Sequence, residues 1–372
     1  MERHEVVIVG AGLAGCAAAL ELDDKGITAD VFEALRDKEY IRGPQLTGTA
    51  YILSTIPNLV KPKYRMRSFT FRSGEDVAYF DGNRIGNVYE VCSTEGAEQE
   101  LRDRLHDRGI EINYGHRIKN TEELRDYKHV VIADGYSSQL AKSYGLRSDA
   151  HYLTSYGLMS EISGRFEPES PMIELNSKVA PGGYIFFIPW DERRANAVAF
   201  PMLSQHLDIK SARETFRRWI EENGWKTEKE WTEFQAFYRH PCYERDGVYL
   251  AGSAASFTDE FMGFGLYYAV ESGIVCADAI SEGKSYEEAL KETVLDHLKI
   301  YRSVAPLMRN AGPKTHELMV KAVSLAPARH LVNSGFDIFR YLEKASSPIA
   351  LGGTLISNLH SVFLNDRVRE VT

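Results

Sequence analysis

The 372-residue chain has no excess of positive charge: Lys and Arg number 44 against 53 Asp and Glu, a formal net charge of −9. This excludes nucleic acid as a main partner, because neutralising phosphates requires a basic face. The short cluster Lys61–Arg67 is read as a solvated face or a phosphate contact. Cysteine is scarce. Cys16, Cys92, Cys242 and Cys276 show neither metal-type nor Cys-x-x-Cys spacing, so reduced, mostly buried thiols in a cytoplasmic protein are expected. No His-x-x-x-His pair occurs, and His151, His206 and His240 stand singly at segment edges, so no metal centre is expected. A membrane-crossing run is missing as well. Ala345–Asn365 is free of Asp, Glu, Lys and Arg but is interrupted by Pro348, Gly352 and Gly353, which suits a buried tail or a surface-lying segment. The chain reaches a strand within five residues, so no signal peptide is expected. Repeats, low-complexity stretches and long linkers are also lacking, and an apolar fraction of 44% can supply a large core.

What is present begins at once. Val6-Val7-Ile8-Val9 is a buried β-branched strand that runs into Gly10-Ala11-Gly12-Leu13-Ala14-Gly15, a Gly-x-Gly-x-x-Gly turn. The alanine-rich helix Ala17–Leu22, a stop at Gly26 and a second strand Thr28–Phe32 follow, with Glu33 at its end. In this pattern Gly10 permits the tight turn, Gly12 lets the backbone approach a pyrophosphate, and Gly15 lets helix and strand pack closely. The helix N-terminus faces the phosphates, and the acid accepts hydrogen bonds from ribose hydroxyls. Strand, helix, second strand and terminal acid together indicate an adenine dinucleotide.

Further along, Arg67–Arg72 and Val77–Phe80 flank a turn at Ser73-Gly74-Glu75-Asp76, a hairpin signal. Glu95–Arg108 reads as a helix stopped by Gly109, Ile110–Tyr114 as a return strand and Val130–Ala133 as another buried strand. From His151 to Tyr238 short strands (Tyr156–Ile162, Met172–Leu175, Tyr184–Ile188, Ala195–Pro201) follow one another without helices until Ala212–Glu222. That predicts an antiparallel sheet lying over the nucleotide-binding part. Val248–Ala251 resumes the buried-strand style, Leu266–Ile280 reads as a long helix, and Ser285 with Glu288 matches a capping box opening a helix over Tyr286–Tyr301. The expected fold is α/β. It comprises a doubly wound Rossmann-type unit drawn from residues 1–60, 88–150 and 241–285, an interleaved antiparallel substrate domain from 61–87 and 151–240, and a helical part over 286–372.

Two more glycine-bearing turns follow buried strands: Ala133-Asp134-Gly135, and Gly252-Ser253 with Gly263-Phe264-Gly265 opening the next helix. The three segments, in this order, resemble the FAD-binding fingerprint of the para-hydroxybenzoate hydroxylase-like flavoproteins, and within that group the geranylgeranyl reductase family. Gly263-Phe264-Gly265-Leu266-Tyr267-Tyr268-Ala269-Val270-Glu271-Ser272-Gly273 is similar to that family's Gly-x-Gly-Ile-Tyr-Tyr-Ala-x-x-Ser-Gly. Pro181-Gly182-Gly183-Tyr184-Ile185-Phe186-Phe187-Ile188-Pro189 resembles its Pro-x-x-Tyr-x-Trp-x-Phe-Pro. The likeness spans residues 5–285. It implies that Gly10, Ala11, Gly12, Leu13, Ala14, Gly15 and Glu33 hold the ADP half of FAD. By the same likeness Ala133, Asp134 and Gly135 lie near the pyrophosphate, Gly252 and Ser253 by the ribityl chain, and Gly263, Phe264 and Gly265 against the isoalloxazine.

There are departures. The family's Gly-Asp acid is Ser253, its usual Pro is Glu260, and a Cys-Gly-Glu motif of the archaeal prenyl reductases aligns with Thr47-Gly48-Thr49. The Gly-x-Gly after the substrate strand reads Val198-Ala199-Phe200. The resemblance implies FAD-dependent reduction of C=C bonds in a hydrophobic, isoprenoid substrate, with peripheral membrane contact as an accompanying expectation. The lining is expected from Tyr184, Phe186, Ile188, Trp190, Phe261 and Tyr267, although ordinary core packing accounts for each individual ring equally well. Tyr184, Tyr267 and Glu260 are candidate proton donors. No second dinucleotide fingerprint appears, so electrons would come from transient NAD(P)H or a ferredoxin-like carrier. An oxygen-using aromatic hydroxylase or halogenase, and a degenerate FAD-binding module, are the alternatives on the same scaffold.

Overall fold

In a computed structural model, the described residues are 4–324 without 38, 40–44, 49–54, 82–89, 148–151, 202–207, 239–241, 261–262, 300–301, 303–304 and 306–309. Phe261, Met262, Thr49, His151, His206, His240 and the segment 345–365 therefore lie outside the description. At the centre is β1 (Val6–Val9), every residue of which is buried. It pairs in parallel with β2 (Ala29–Glu33) on one side and β9 (His129–Ile132) on the other. β8 (Ile112–Tyr114) extends the β2 side. β16 (Val248–Leu250) and the antiparallel edge β15 (Glu244–Arg245) extend the other. The chain leaves β1 toward β2 and returns beyond it to β9, so the strand order reverses between β1 and β9. At such a point the carboxyl ends of the strands part and leave a crevice for a ligand.

Helix α1 (Leu13–Asp24) follows β1, longer than the sequence pattern suggested because Gly12 itself caps it. Nearly all of it is buried, so its alanines are spacers rather than one apolar stripe. It lies against α5 (Leu266–Glu282), and small residues set the approach: a Cβ on Gly273 would fall 2.2 Å from the Ala14 carbonyl oxygen. α2 (Thr94–Asp107) covers the same sheet, capped by the Ser93 hydroxyl, which accepts from the Gly96 N–H. α3 (Gln139–Ser143) follows β9.

A second sheet of seven strands runs β14 (Lys226–Tyr238), β10 (Tyr152–Ser163), β13 (Arg194–Phe200), β12 (Tyr184–Pro189), β11 (Met172–Glu174), β5 (Ser68–Ser73) and β6 (Asp76–Asp81). It is antiparallel except where β5 and β11 pair in parallel. That corrects the expectation of a wholly antiparallel sheet. Those two strands come from distant parts of the chain, and no hairpin forces them to oppose. β12 alternates as its period of two requires: Tyr184, Phe186 and Ile188 face one cluster, while Ile185 and Phe187 pack toward Phe216, Trp219 and Ile220 of α4 (Ile209–Glu222). The first face meets a small sheet of β3 (Leu46–Gly48), β7 (Glu90–Ser93) and β4 (Tyr64–Arg65).

After α5 the helix over 286–301 is interrupted: α6 (Tyr286–Leu290) passes into a π-helical turn at Lys291–Leu295. At its start Ser285 accepts from the Glu288 N–H, the forward half of the capping box, and Glu244 of the edge strand receives the Ser285 hydroxyl and the Tyr286 N–H. α7 (Pro313–Ser324) packs Val320 on Ala78 and Phe80 of β6. Among the described residues no helix is long and apolar enough to cross a membrane.

Candidate cofactor site

The register of the parallel sheet decides how the site is built. Val9 lies opposite Ile132, so the turn leaving β1 and the turn leaving β9 stand side by side. They touch through Gly10, whose φ is +105° and whose Cβ, were there one, would sit 2.4 Å from the Ala133 carbonyl oxygen. Gly15 is tighter still, with 1.8 Å between an added Cβ and the Gly10 carbonyl oxygen. Gly12 is the opposite case: nothing lies within 4 Å of its missing side chain. The space above Gly12 belongs to a cavity.

That cavity is lined by all three sequence segments: Gly10, Gly12, Leu13 and Ala14 from the first, Ala133, Asp134 and Gly135 from the second, Ser253 and Gly265 from the third. Glu33 lines it too. The residue is 8% exposed, and its carboxylate accepts from the Ala11 N–H at 2.8 Å and the Leu35 N–H at 2.9 Å. The acid thus locks the end of β2 to the glycine turn while its remaining lone pairs stay available to a ligand. Ala11 and Gly15 are buried behind this wall.

Two helices begin at the cavity. Neither α1, capped by Gly12, nor α5, capped by Gly265, has a side-chain cap or an acidic residue in its first turn. Their first N–H groups and positive dipole ends are suited to negative charge or carbonyl oxygens. Asp134 adds an acid with a cost. Its Oδ1 is buried and accepts no hydrogen bond, and burial pushes its carboxyl up to about 6. A ligand hydroxyl would supply the missing donor. An open space over a glycine, two uncapped helix starts and an orphaned buried oxygen fit the phosphates and hydroxyls of a flavin dinucleotide.

Residues that sequence reasoning passed over hold these segments together. Arg102 is buried on α2; its Nε donates to the Ala11 carbonyl at 3.1 Å and its Nη2 to Glu98 at 2.8 Å. Arg147, also buried, donates to Tyr136 O at 2.7 Å and Ala254 O at 3.1 Å, which joins the second segment to the third. Asp259 shapes the start of α5. Its carboxylate accepts from the Phe264 N–H at 2.8 Å, and its own N–H and C=O engage Phe264 and Gly263. Arg102 had a signal in the sequence, since it falls on the buried stripe that includes Ala97, Leu101 and Leu105. Arg147 and Asp259 had none.

The apolar residues divide. Tyr184, Phe186 and Ile188 share a cluster with Phe200, Leu46, Met66 and Val91. This layer reaches the third segment where the Phe200 ring meets Gly263. Trp190 lies at the other end of β12. Its Nε1 donates to Asn196 at 2.7 Å, Lys63 sits over its ring, and it lines a second cleft that shares no residue with the first. Tyr267 packs edge-on against Tyr268, with ring centroids 5.3 Å apart. Glu260 is engaged by Arg302, Nε to Oε1 at 3.2 Å.

Fold and site together define a Rossmann-type flavoprotein. Residues 4–168 match the model of the pyridine nucleotide-disulphide oxidoreductase family. A digeranylgeranylglycerophospholipid reductase of Methanocella arvoryzae is 24% identical over 310 residues, covering 75% of this chain and 78% of the relative. Among solved structures, a geranylgeranyl bacteriochlorophyll reductase-like protein from Thermoplasma acidophilum superposes with a TM-score of 0.74 at 17% identity, covering 92% of this chain and all of that one. The flavin-dependent halogenase CmlS superposes at 0.63 and 15% identity, over 97% of this chain and 78% of its own, a likeness of fold. On these likenesses the chain is an FAD-dependent oxidoreductase, similar to proteins named as geranylgeranyl reductases.

Proposed function

We propose that this protein reduces carbon–carbon double bonds of a hydrophobic, isoprenoid substrate of the geranylgeranyl type. The observation that carries this reading is the meeting of the apolar layer with the third cofactor segment at Phe200 and Gly263. A substrate lying along that layer would present an alkene where Gly263, Phe264 and Gly265 approach the isoalloxazine. FAD, when bound, supplies the hydride chemistry. The protein positions and excludes water: Glu33 and the Gly10–Gly15 turn would hold the ADP half, Asp134 would lie near the pyrophosphate, Ser253 would bond a ribityl hydroxyl, and the aromatic face would keep the reacting carbons dry. An isolated alkene develops no oxyanion, so the site needs only a proton source. Tyr184 is our choice, because it stands directly opposite Phe200 in the sheet register, whereas Arg302 already occupies Glu260.

On this reading residues 1–60, 88–150 and 241–285 form the cofactor unit and 61–87 with 151–240 the substrate unit. NAD(P)H binding transiently or a ferredoxin-like carrier brings the electrons, and the lipid is drawn from a membrane that the protein touches peripherally. The test is anaerobic reduction of the purified holoprotein followed by mixing with a geranylgeranyl lipid. Reoxidation of the flavin absorbance is expected. An unchanged spectrum across a panel of prenyl lipids removes the proposal, and NAD(P)H oxidation with oxygen uptake stimulated by an aromatic compound would replace it with the hydroxylase or halogenase class.

A further inference from the structure

We propose that Arg302 is a positioning residue for the flavin: through Glu260 it holds the turn before α5 in place and cancels a negative charge near the isoalloxazine. This rests on the flavoprotein reading of the cavity and not on the choice of substrate. The turn is closed at its base. The Asp259 N–H donates to the Phe264 carbonyl at 2.9 Å, the Gly263 N–H to the Asp259 carbonyl at 3.1 Å, and the Phe264 N–H to the Asp259 carboxylate at 2.8 Å. Gly265 follows, capping α5 and lining the cofactor cavity. Glu260 stands on this closed turn with its side chain only 14% exposed, and a carboxylate so sheltered needs a cation. Two Cα steps and one hydrogen-bonded crossing keep its backbone within about 13 Å of Gly265.

The cation arrives from outside the three cofactor segments: Arg302 Nε lies 3.2 Å from Glu260 Oε1. Along the helical stretch that leads to it, Tyr286, Leu290, Val294 and Leu298 are buried at every fourth position, and Arg302 is next in that series. Steps of four overshoot a full α-helical turn by about 40° each, which would carry the fifth member away from the core. The wider π-helical turn at Lys291–Leu295 takes up part of that drift, so Arg302 still faces inward. In the pattern this chain resembles, a Pro stands where Glu260 is found. A Pro fixes its own φ from within the turn. Glu260 does not, and Arg302 supplies the restraint from a distance. Charge enters as well. Asp259 and Glu260 bring two carboxylates to the turn before α5, close to where two-electron reduction adds negative charge to the isoalloxazine. A unit charge about 10 Å away, at an effective dielectric constant of about 20, shifts such an equilibrium roughly tenfold. Arg302 offsets one of the two.

The experiment compares native protein with Arg302→Gln, Arg302→Lys, Glu260→Gln and the double variant of Arg302→Gln with Glu260→Gln. Each is titrated for the midpoint potential of its bound FAD and for its affinity toward oxidised FAD. Arg302→Gln should bind reduced FAD about tenfold less tightly, relative to oxidised FAD, than the native protein does, which lowers the midpoint by about 30 mV in a two-electron couple. Arg302→Lys should keep most of the native value. Adding Glu260→Gln should restore the potential although the ion pair is still absent, while affinity for oxidised FAD stays reduced because the turn has lost its restraint. Loss of support alone would leave the double variant as displaced as the single one. If Arg302→Gln does not fold, Glu260→Gln by itself decides, since an unopposed guanidinium should raise the midpoint by a similar amount. An unchanged potential in the folded, FAD-loaded variant overturns the proposal, as does failure of the second substitution to restore it. None of these readings needs a substrate. A protein that binds FAD but reduces no prenyl compound therefore loses only the reductase reading, whereas a native protein that binds no FAD overturns the flavoprotein reading and the role of Arg302 with it.

Discussion

Two helices start at the same cavity, and they are held there by different means. At α1 the constraint is backbone against backbone: Gly10 against the Ala133 carbonyl, Gly15 against the Gly10 carbonyl. At α5 it is backbone against side chain: Gly263 against the Phe200 ring, Gly265 with 2.8 Å between an added Cβ and the Thr258 hydroxyl, and the whole turn tied by Asp259. The first start is therefore intolerant of change at Gly10 and Gly15. The second is adjustable, because side chains can be exchanged where a carbonyl cannot. On the reading proposed above, this difference separates the task of holding a dinucleotide from that of admitting a substrate.

The largest effect should come from Gly15→Ala. With a carbonyl oxygen 1.8 Å from the new methyl, we expect loss of more than about 4 kcal/mol or failure to fold, read by denaturant unfolding and flavin retention; a stable, yellow variant would break the comparison. Gly263→Ala should be milder, about 3 kcal/mol from overpacking and from its positive φ together. Here the two starts can be told apart by a double-mutant cycle. Phe200→Leu in the Gly263→Ala background should recover about 1 kcal/mol but not the backbone part, whereas no side-chain change should rescue Gly15→Ala. Asp259→Ala removes a charged acceptor from the Phe264 N–H and should cost about 2 kcal/mol, with weakened FAD binding by flavin fluorescence titration.

A smaller effect concerns pH. The Asp134 carboxyl, pushed up to about 6 by burial, binds its proton more tightly folded than unfolded, where about 3.9 is usual. Its contribution to apoprotein stability is thus full below about pH 4 and is lost as pH rises through 6. Melting temperatures of native protein and Asp134→Asn between pH 4 and 7 should converge at the acid end and separate above it, the asparagine variant being the more stable. Equal pH slopes would contradict the assignment. The smallest change is a gain: Ser253→Asp replaces a neutral hydrogen bond by a charge-assisted one and should tighten FAD binding about threefold, measured by isothermal titration.

Much of this was legible because the first unit is local. β1, the glycine turn, α1 and β2 with its acid lie within the first 33 residues, and the expected elements recur with ends shifted by a few positions. The alternation along Tyr184–Pro189 likewise predicted which side chains share a face, as the two clusters bear out. Other elements escaped for physical reasons. β14 is a strand of 13 residues rich in Lys and Glu, without the apolar run that marks a buried strand; among the described residues it lies at a sheet edge beside β10, where such charges are tolerated. β3 and β7 are short and, among the described residues, pair with each other and with β4.

The amino-acid sequence by itself determined that a dinucleotide is bound, because a turn that demands glycine, a helix that demands small residues and an acid at a strand end are properties of neighbouring residues. Only the tertiary structure decided which groups complete the site. Arg102, Arg147 and Asp259 act through carbonyls and N–H groups that register and helix packing bring to them, two of the three across many tens of residues. The contact of Phe200 with Gly263 is of the same kind: it joins strand β13 to the turn before α5, and no local pattern records it because neither residue's own neighbours require the other.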